Sequence, residues 1–166
     1  LGFALLPFLH ETDLTWKLAH LHLPADKDPM RRVRGIRGIA EVVASARRDL
    51  LREGREVFVV TPHYGRASQV TFYMPEARQG LPDSPLVYAR VGVVPKSQFF
   101  FWPQYRYQNK RKGQNAIFFV LNDNPTPAPE QLLAEFESVT AAGFVEIKHG
   151  GRVFHHVQLF ACRNLR

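Results

Sequence analysis

The chain is poor in the residues that build cross-links and soft metal sites. Cys162 is its single cysteine among 166 residues, which excludes an internal disulfide and any cysteine-rich zinc centre. Long hydrophobic runs are also missing. The longest near the start, 1-LGFALLPFL-9, covers nine residues, against the roughly 20 that a membrane helix needs. It has neither a basic segment before it nor a small-residue cleavage site after it, so it does not read as a signal peptide. Two readings stay open for 1–23: the end of a membrane region, or an apolar N-terminal arm.

Signature motifs are equally scarce. There is no GxGxxG, no GxxxxGK[ST], no HExxH and no G-x-S-x-G, so dinucleotide, P-loop, zincin and hydrolase-elbow chemistry all lack their fingerprints. The seven histidines are scattered, and His155 and His156 point to opposite faces of a strand. No metal site is expected. Paired carboxylates for acid–base work are missing too. Asp28, Glu41, Asp49 and Glu53 are accounted for by capping and helix pairing.

What the chain does have is positive charge and core. Net charge is +7 and hydrophobic residues make up 45%, which describes a folded domain drawn to anionic partners. The pattern alternates helix and strand. Asp28 and Pro29 predict a helix start, and apolar Ile36, Ile39, Val43, Ala46 and Leu50 form one stripe through 29–54. Gly54 is placed as its C-cap. Gly35 and Gly38 each cost about 1 kcal/mol inside a helix, which points to loose or closely packed first turns. Strands are expected at 56–60, 86–90 and 115–121, and helices at 65–73 and 129–139. A hairpin is expected to turn on Gly150-Gly151 within 143–163. The expected architecture is α/β: a three-layer α/β/α domain over 24–166, with a mostly parallel central sheet and a C-terminal antiparallel hairpin at one edge.

The candidate site begins at 62-PHYGRAS-68, where a strand meets a helix. Such turns lie where ligands bind in open α/β sheets. A helix starting near Gly65 would offer free N–H groups to an anion, with Tyr64, Arg66 and Ser68 beside them. The competing reading is a plain structural corner. Basic residues cluster at Arg31, Arg32, Arg34 and Arg37, and again at Lys110, Arg111 and Lys112. The second cluster follows aromatic residues in 99-FFFWPQYRYQNKRK-112. Basic segments of this kind attract anionic headgroups. Single-stranded nucleic acid is the alternative partner, although no RNP-type pattern is present. A stand-alone enzyme using the 61–68 turn is a third reading.

The order of these features resembles a known family. It is carried by the Arg-rich DPMRRVRGIRGIAEVV, by ASQVTFYMP from Ala67 to Pro75, by Gln98 and Trp102, and by the strand entry at Gly113. Over about 24–163 the chain is similar to the C-terminal extramembrane domain of bacterial polyprenol-phosphate-sugar-dependent membrane glycosyltransferases. That superfamily includes protein O-mannosyltransferase-like enzymes and the lipid A aminoarabinose transferase. The resemblance implies an inner-membrane parent that transfers a sugar from a polyprenyl-phosphate donor to a lipid, glycan or protein, with this domain periplasmic. Short Lys/Arg-rich loops tend to stay cytoplasmic, but that rule weakens for a folded domain. The catalytic acids of the family lie in its membrane portion, so none is carried over. The resemblance implies no cofactor in this fragment, and the parent's use of a divalent metal stays open. It implies the membrane domain of the same polypeptide and anionic lipid or polyprenyl-phosphate headgroups as partners. Tyr64, Arg66, Ser68, Gln98, Trp102 and the 110–112 run are the expected binding residues, and Arg31, Arg32, Arg34 and Arg37 the expected membrane-surface residues.

Overall fold

A computed structural model describes residues 28, 31–81, 83–90 and 101–166. The expected N-terminal segment 1–23 and Gln98 lie outside the described residues. The architecture is α/β, with a sheet of five strands in the order β2-β1-β3-β5-β4. The strands are β1 (Val57–Thr61), β2 (Val87–Ala89), β3 (Asn115–Leu121), β4 (Phe136–His149) and β5 (Arg152–Leu165).

β1 is buried along its whole length. It runs parallel to β2 on one side, with Val59 opposite Val87, and parallel to β3 on the other, with Val57 opposite Asn115. A strand enclosed on both faces needs β-branched and aromatic residues at every position, and VFVVT supplies them. Gly150 and Gly151, with φ of 57° and 77°, form the two-residue turn between β4 and β5. Two successive positive φ values are what a type I′ hairpin turn requires. β5 pairs antiparallel with both β3 and β4, so the hairpin extends the parallel part on one side only.

One face of the sheet is covered by α1 (Ile36–Leu51), α2 (Tyr64–Tyr73) and α3 (Pro75–Gln79). Ile36, Ile39, Val43 and Leu50 of α1 pack with Val70, Val59, Ile117 and Leu159, and each such buried aliphatic side chain contributes about 1.5–3 kcal/mol. Phe58, Phe118 and Phe160 point to the other face. There they meet Tyr107 of the short helix α4 (Tyr107–Lys110) and Leu132 of α5 (Glu130–Glu135). The Tyr107 hydroxyl donates to Glu135 Oε2 at 2.6 Å, which satisfies the polar tip of a ring packed 5.3 Å from Phe58.

Two helix boundaries differ from the sequence expectation. α1 begins at Ile36 and not at Pro29, because Gly35 adopts φ +75° and interrupts the helix. Residues 31–35 form a turn instead. Asp28 therefore does not cap α1; its carboxylate pairs with Arg34 at 2.9 Å. At the other end, α5 stops at Glu135, and Phe136 opens β4 opposite Leu165. Burying Phe136 against Phe58, at 6.2 Å between ring centres, outweighs the helical continuation that 129–139 suggested. Tertiary contact overrides propensity here.

Candidate functional site

The parallel part of the sheet has one change of direction. From β1 the chain leaves through α2 and α3 to β2 on one side, then returns to place β3 on the other. The carboxyl ends of β1 and β3 consequently diverge, and a crevice opens between them, as the geometry of open α/β sheets predicts. Thr61 at the end of β1, with Pro62 and His63 after it, lines one side, and Val120 and Leu121 of β3 the other. Arg32, Arg66 and Gln69 line this cavity of ≈ 500 Å³. It adjoins a second of ≈ 330 Å³, lined by Arg31, Arg32, Arg66, Asp123, His155 and His156.

The turn carrying Arg31 and Arg32 is fastened from three sides. His155 Nε2 lies 3.0 Å from the Arg31 carbonyl and 3.1 Å from that of Arg34. Both partners are acceptors, so the ring carries its proton on Nε2 and donates to both. Gln69 Nε2 and Arg66 Nη1 donate to the Arg32 carbonyl at 3.2 and 3.4 Å. Beneath the turn the buried Arg34–Asp28 pair closes it, and Arg34 Nη1 donates to His149 Nε2 at 3.3 Å. Burial first, and the charge of Arg66 second, push the His155 imidazole below its ordinary pKa, while its bonds to the two carbonyls act in the other direction. Burial likewise lowers the Arg66 pKa, with Arg32 and then Arg31 adding like-charge repulsion.

The start of α2 is less open to an anion than the sequence suggested. His63 caps it: its Nδ1 accepts from Gly65 N at 3.0 Å, and its carbonyl accepts from Arg66 N and Ala67 N. Those N–H groups are already satisfied, so positive charge at this edge comes from arginine side chains and not from the helix terminus.

The sequence-predicted residues separate into distinct places. Arg66, Arg31 and Arg32 meet at the crevice. Tyr64 is exposed and stacks on His63 at 4.7 Å. The Ser68 hydroxyl donates to the Tyr64 carbonyl at 3.1 Å, one turn back on the same helix. Arg34 does not belong to a surface, being 5% exposed. Arg37 is exposed on α1 and lies over the Tyr73 ring at 5.9 Å. Lys110 and Lys112 are exposed, but Arg111 between them turns inward. It donates to the Tyr88 hydroxyl at 3.1 Å, the Pro85 carbonyl at 2.8 Å and Ser84 Oγ at 3.2 Å. Trp102 rests on Tyr105, with ring centres 5.7 Å apart.

Sequence reasoning missed His155 and Gln69 as the fasteners of the 31–34 turn. The only available signal was a histidine in register with the inward Val157 and Leu159 of β5, which reads as a satisfied core histidine.

On the far side of α2 lies an apolar cavity of ≈ 360 Å³, lined by Ala67, Thr71, Phe72, Leu81, Val87 and Tyr105. Among the described residues no group of three His, Cys, Asp or Glu side chains could hold a metal. Nor is any helix among them long and apolar enough to cross a membrane. Cys162 is buried, and burial pushes its thiol up to about 12, which removes it as a nucleophile at neutral pH. No family model, curated protein or solved structure matches the chain.

Proposed function

We propose that the chain is the extramembrane accessory domain of a bacterial inner-membrane glycosyltransferase that uses a polyprenyl-phosphate-linked sugar. In this reading the domain is itself non-catalytic and sits on the periplasmic side against the bilayer and the membrane portion of the same polypeptide. Support comes from the resemblance in Ala67–Pro75 and around Trp102, and from one physical observation that carries the reading. Beside β2, Phe72 is 63% exposed and Leu81 42%, and Phe101, shortly before Tyr105 in the chain, is 67% exposed. Phe72 and Leu81 border the apolar cavity, and Phe101 precedes the Trp102–Tyr105 pair. Apolar side chains grouped this way on a soluble surface mark an interaction site. Trp and Tyr beside them suit a membrane–water interface, where one end of the ring is apolar and the other wet. Arg78 lines the same cavity, and the exposed Lys110 and Lys112 follow Tyr105 along the chain; a basic residue close to the surface adds about 1 kcal/mol toward anionic lipid.

Co-sedimentation with lipid vesicles tests this reading. The chain should pellet with vesicles containing phosphatidylglycerol, less with purely phosphatidylcholine vesicles, and much less after Phe72→Ser with Phe101→Ser. Equal pelleting with both compositions at low salt would remove the electrostatic contribution. No pelleting with either, or pelleting unaffected by the double substitution, would overturn the membrane-facing role of this edge.

A further inference from the structure

We propose that the crevice between the carboxyl ends of β1 and β3 is a phosphate-binding site, formed by Arg31, Arg32 and Arg66. This goes beyond the membrane-facing reading, which concerns the other side of α2.

Three observations carry it. First, the crevice is concave and of ligand size: its two adjoining parts measure ≈ 500 and ≈ 330 Å³, within the range of small-molecule sites. Second, the cations outnumber the carboxylates there: among the described residues, Asp123 is the one acidic side chain that lines the two cavities with Arg31, Arg32 and Arg66. Among the described residues no carboxylate comes within ion-pair distance of Arg31, Arg32 or Arg66. The guanidinium groups of Arg31 and Arg32 make no hydrogen bond among these residues either, and Arg66 uses only Nη1, to Gln69 Oε1 at 2.9 Å and the Arg32 carbonyl. Three like charges held around one crevice, with a single carboxylate among its lining, oppose folding unless a further anion joins them. Burial is the main cause of the lowered Arg66 pKa, and repulsion by Arg32 and then Arg31 adds to it.

Third, the scaffold is rigid where it must be. The Arg31–Arg34 turn is held through its backbone carbonyls by His155, Gln69 and Arg66. The main chain is therefore fixed while the guanidinium groups of Arg31 and Arg32 remain available. Fixing the backbone beforehand lowers the ordering cost of binding. Arginine suits this role because its planar fork can make two parallel bonds to one phosphate. Asp123 and Asn122 also line the smaller cavity; Asp123 is exposed, while the half-buried Asn122 donates to Thr126 and Gln158. The carboxylate there leaves the crevice with an excess of two positive charges, enough for a phosphomonoester dianion.

Phosphate chemistry can come from a free solute or from a lipid headgroup, and the experiment separates the two. The chain is titrated with inorganic phosphate and with pyrophosphate, with amide shifts followed by NMR. In parallel, vesicles containing phosphatidic acid are co-sedimented with and without competing phosphate. Saturable shifts confined to residues 31–34, 61–66 and 121–123 are expected. Arg32→Ala, an exposed position, should weaken binding about tenfold, and Asp123→Asn should strengthen it. Arg37→Ala removes the same charge from α1 outside the crevice and should leave affinity unchanged. If phosphatidic acid vesicles bind and free phosphate displaces them, the source is a headgroup. If phosphate binds but vesicle pelleting ignores it, the source is a solute. Shifts spread over all basic residues, or equal weakening by Arg37→Ala and Arg32→Ala, would sink the site. So would the absence of saturation at millimolar phosphate in a chain whose spectrum shows it folded. Vesicle binding through Phe72 and Phe101 would survive that failure, so the two readings fall separately.

Discussion

Asp28 Oδ2 holds Arg34 Nε at 2.9 Å, with side chains 7% and 5% exposed. This pair sits under the turn that carries Arg31 and Arg32, and it ties the segment before α1 to the end of β4 through His149. Both residues had simpler roles in the sequence reading, one as a helix cap and the other as a surface cation.

Breaking the pair should be expensive. Asp28→Asn keeps the shape of the side chain but removes the negative charge held against the buried Arg34 guanidinium. The expected loss is about 3–5 kcal/mol, measured as a shift in the urea midpoint at constant slope. Replacing both residues together by Leu and Met should recover most of that loss, because the buried charge is then gone. A single substitution costing under about 1 kcal/mol would mean that solvent already reaches the pair.

Gly35 and Gly38 face the same neighbour for different reasons. A Cβ on Gly35 would lie 3.0 Å from Ile147 Cγ2, at a φ of +75°; Gly35→Ala should therefore cost about 1–2 kcal/mol for the left-handed backbone alone, plus the contact. Gly38 lies within α1, and its added Cβ would be 3.2 Å from the same methyl group. Here the gain in helix propensity, about 1 kcal/mol, opposes a contact that Ile147 can relieve only by shifting. Gly38→Ala should be close to neutral, and Gly38→Ala with Ile147→Ala more stable than Ile147→Ala alone, because alanine lacks the crowding Cγ2 methyl group. Thermal melts of the four variants check the ordering.

Arg111 illustrates how a charge run can mislead. The run 109-NKRK-112 reads as one basic patch, yet Arg111 anchors the entry to β2 by bonding Ser84, Pro85 and the Tyr88 hydroxyl. Arg111→Ala should destabilise the fold by about 2–3 kcal/mol, while Lys110→Ala and Lys112→Ala stay within about 0.5 kcal/mol. Arg111→Lys should fall between, because a single ammonium cannot span all three acceptors. Similar losses for all three alanine variants would contradict this division.

Local periodicity made most of the architecture legible. The apolar run at β1, the stripe of α1 and the Gly150-Gly151 turn each have a pattern that only one element satisfies. One boundary moved for a non-local reason, Phe136 being claimed by Phe58; the other moved through Gly35, whose left-handed backbone ends a 31–35 turn held by Asp28 and by the distant His155. The candidate crevice was half visible. Its Arg66 side followed from the strand–helix turn, but the partnership with Arg31 and Arg32 requires knowing that this turn and β5 meet across the sheet end, some 120 residues apart in sequence. The helix-terminus reading gives way to His63, whose Nδ1 accepts from Gly65 N and whose carbonyl accepts from Arg66 N and Ala67 N, the groups expected to be free.

His155 should make stability depend on acid pH. Its folded-state pKa is lowered, chiefly by burial and then by Arg66, so the unfolded chain binds this proton more readily. The contribution is therefore complete above the unfolded value of about 6.5 and is lost as pH falls through the folded value. Protonation also places a further positive charge beside Arg66 and under the Arg31 turn. His155→Gln retains an N–H donor for the Arg31 and Arg34 carbonyls but cannot take up a proton. It should lower stability modestly at pH 7.5 and flatten its decline between pH 6.5 and the acid side. Urea midpoints for wild type and variant across that range provide the measurement, and parallel curves would assign the acid sensitivity to other groups.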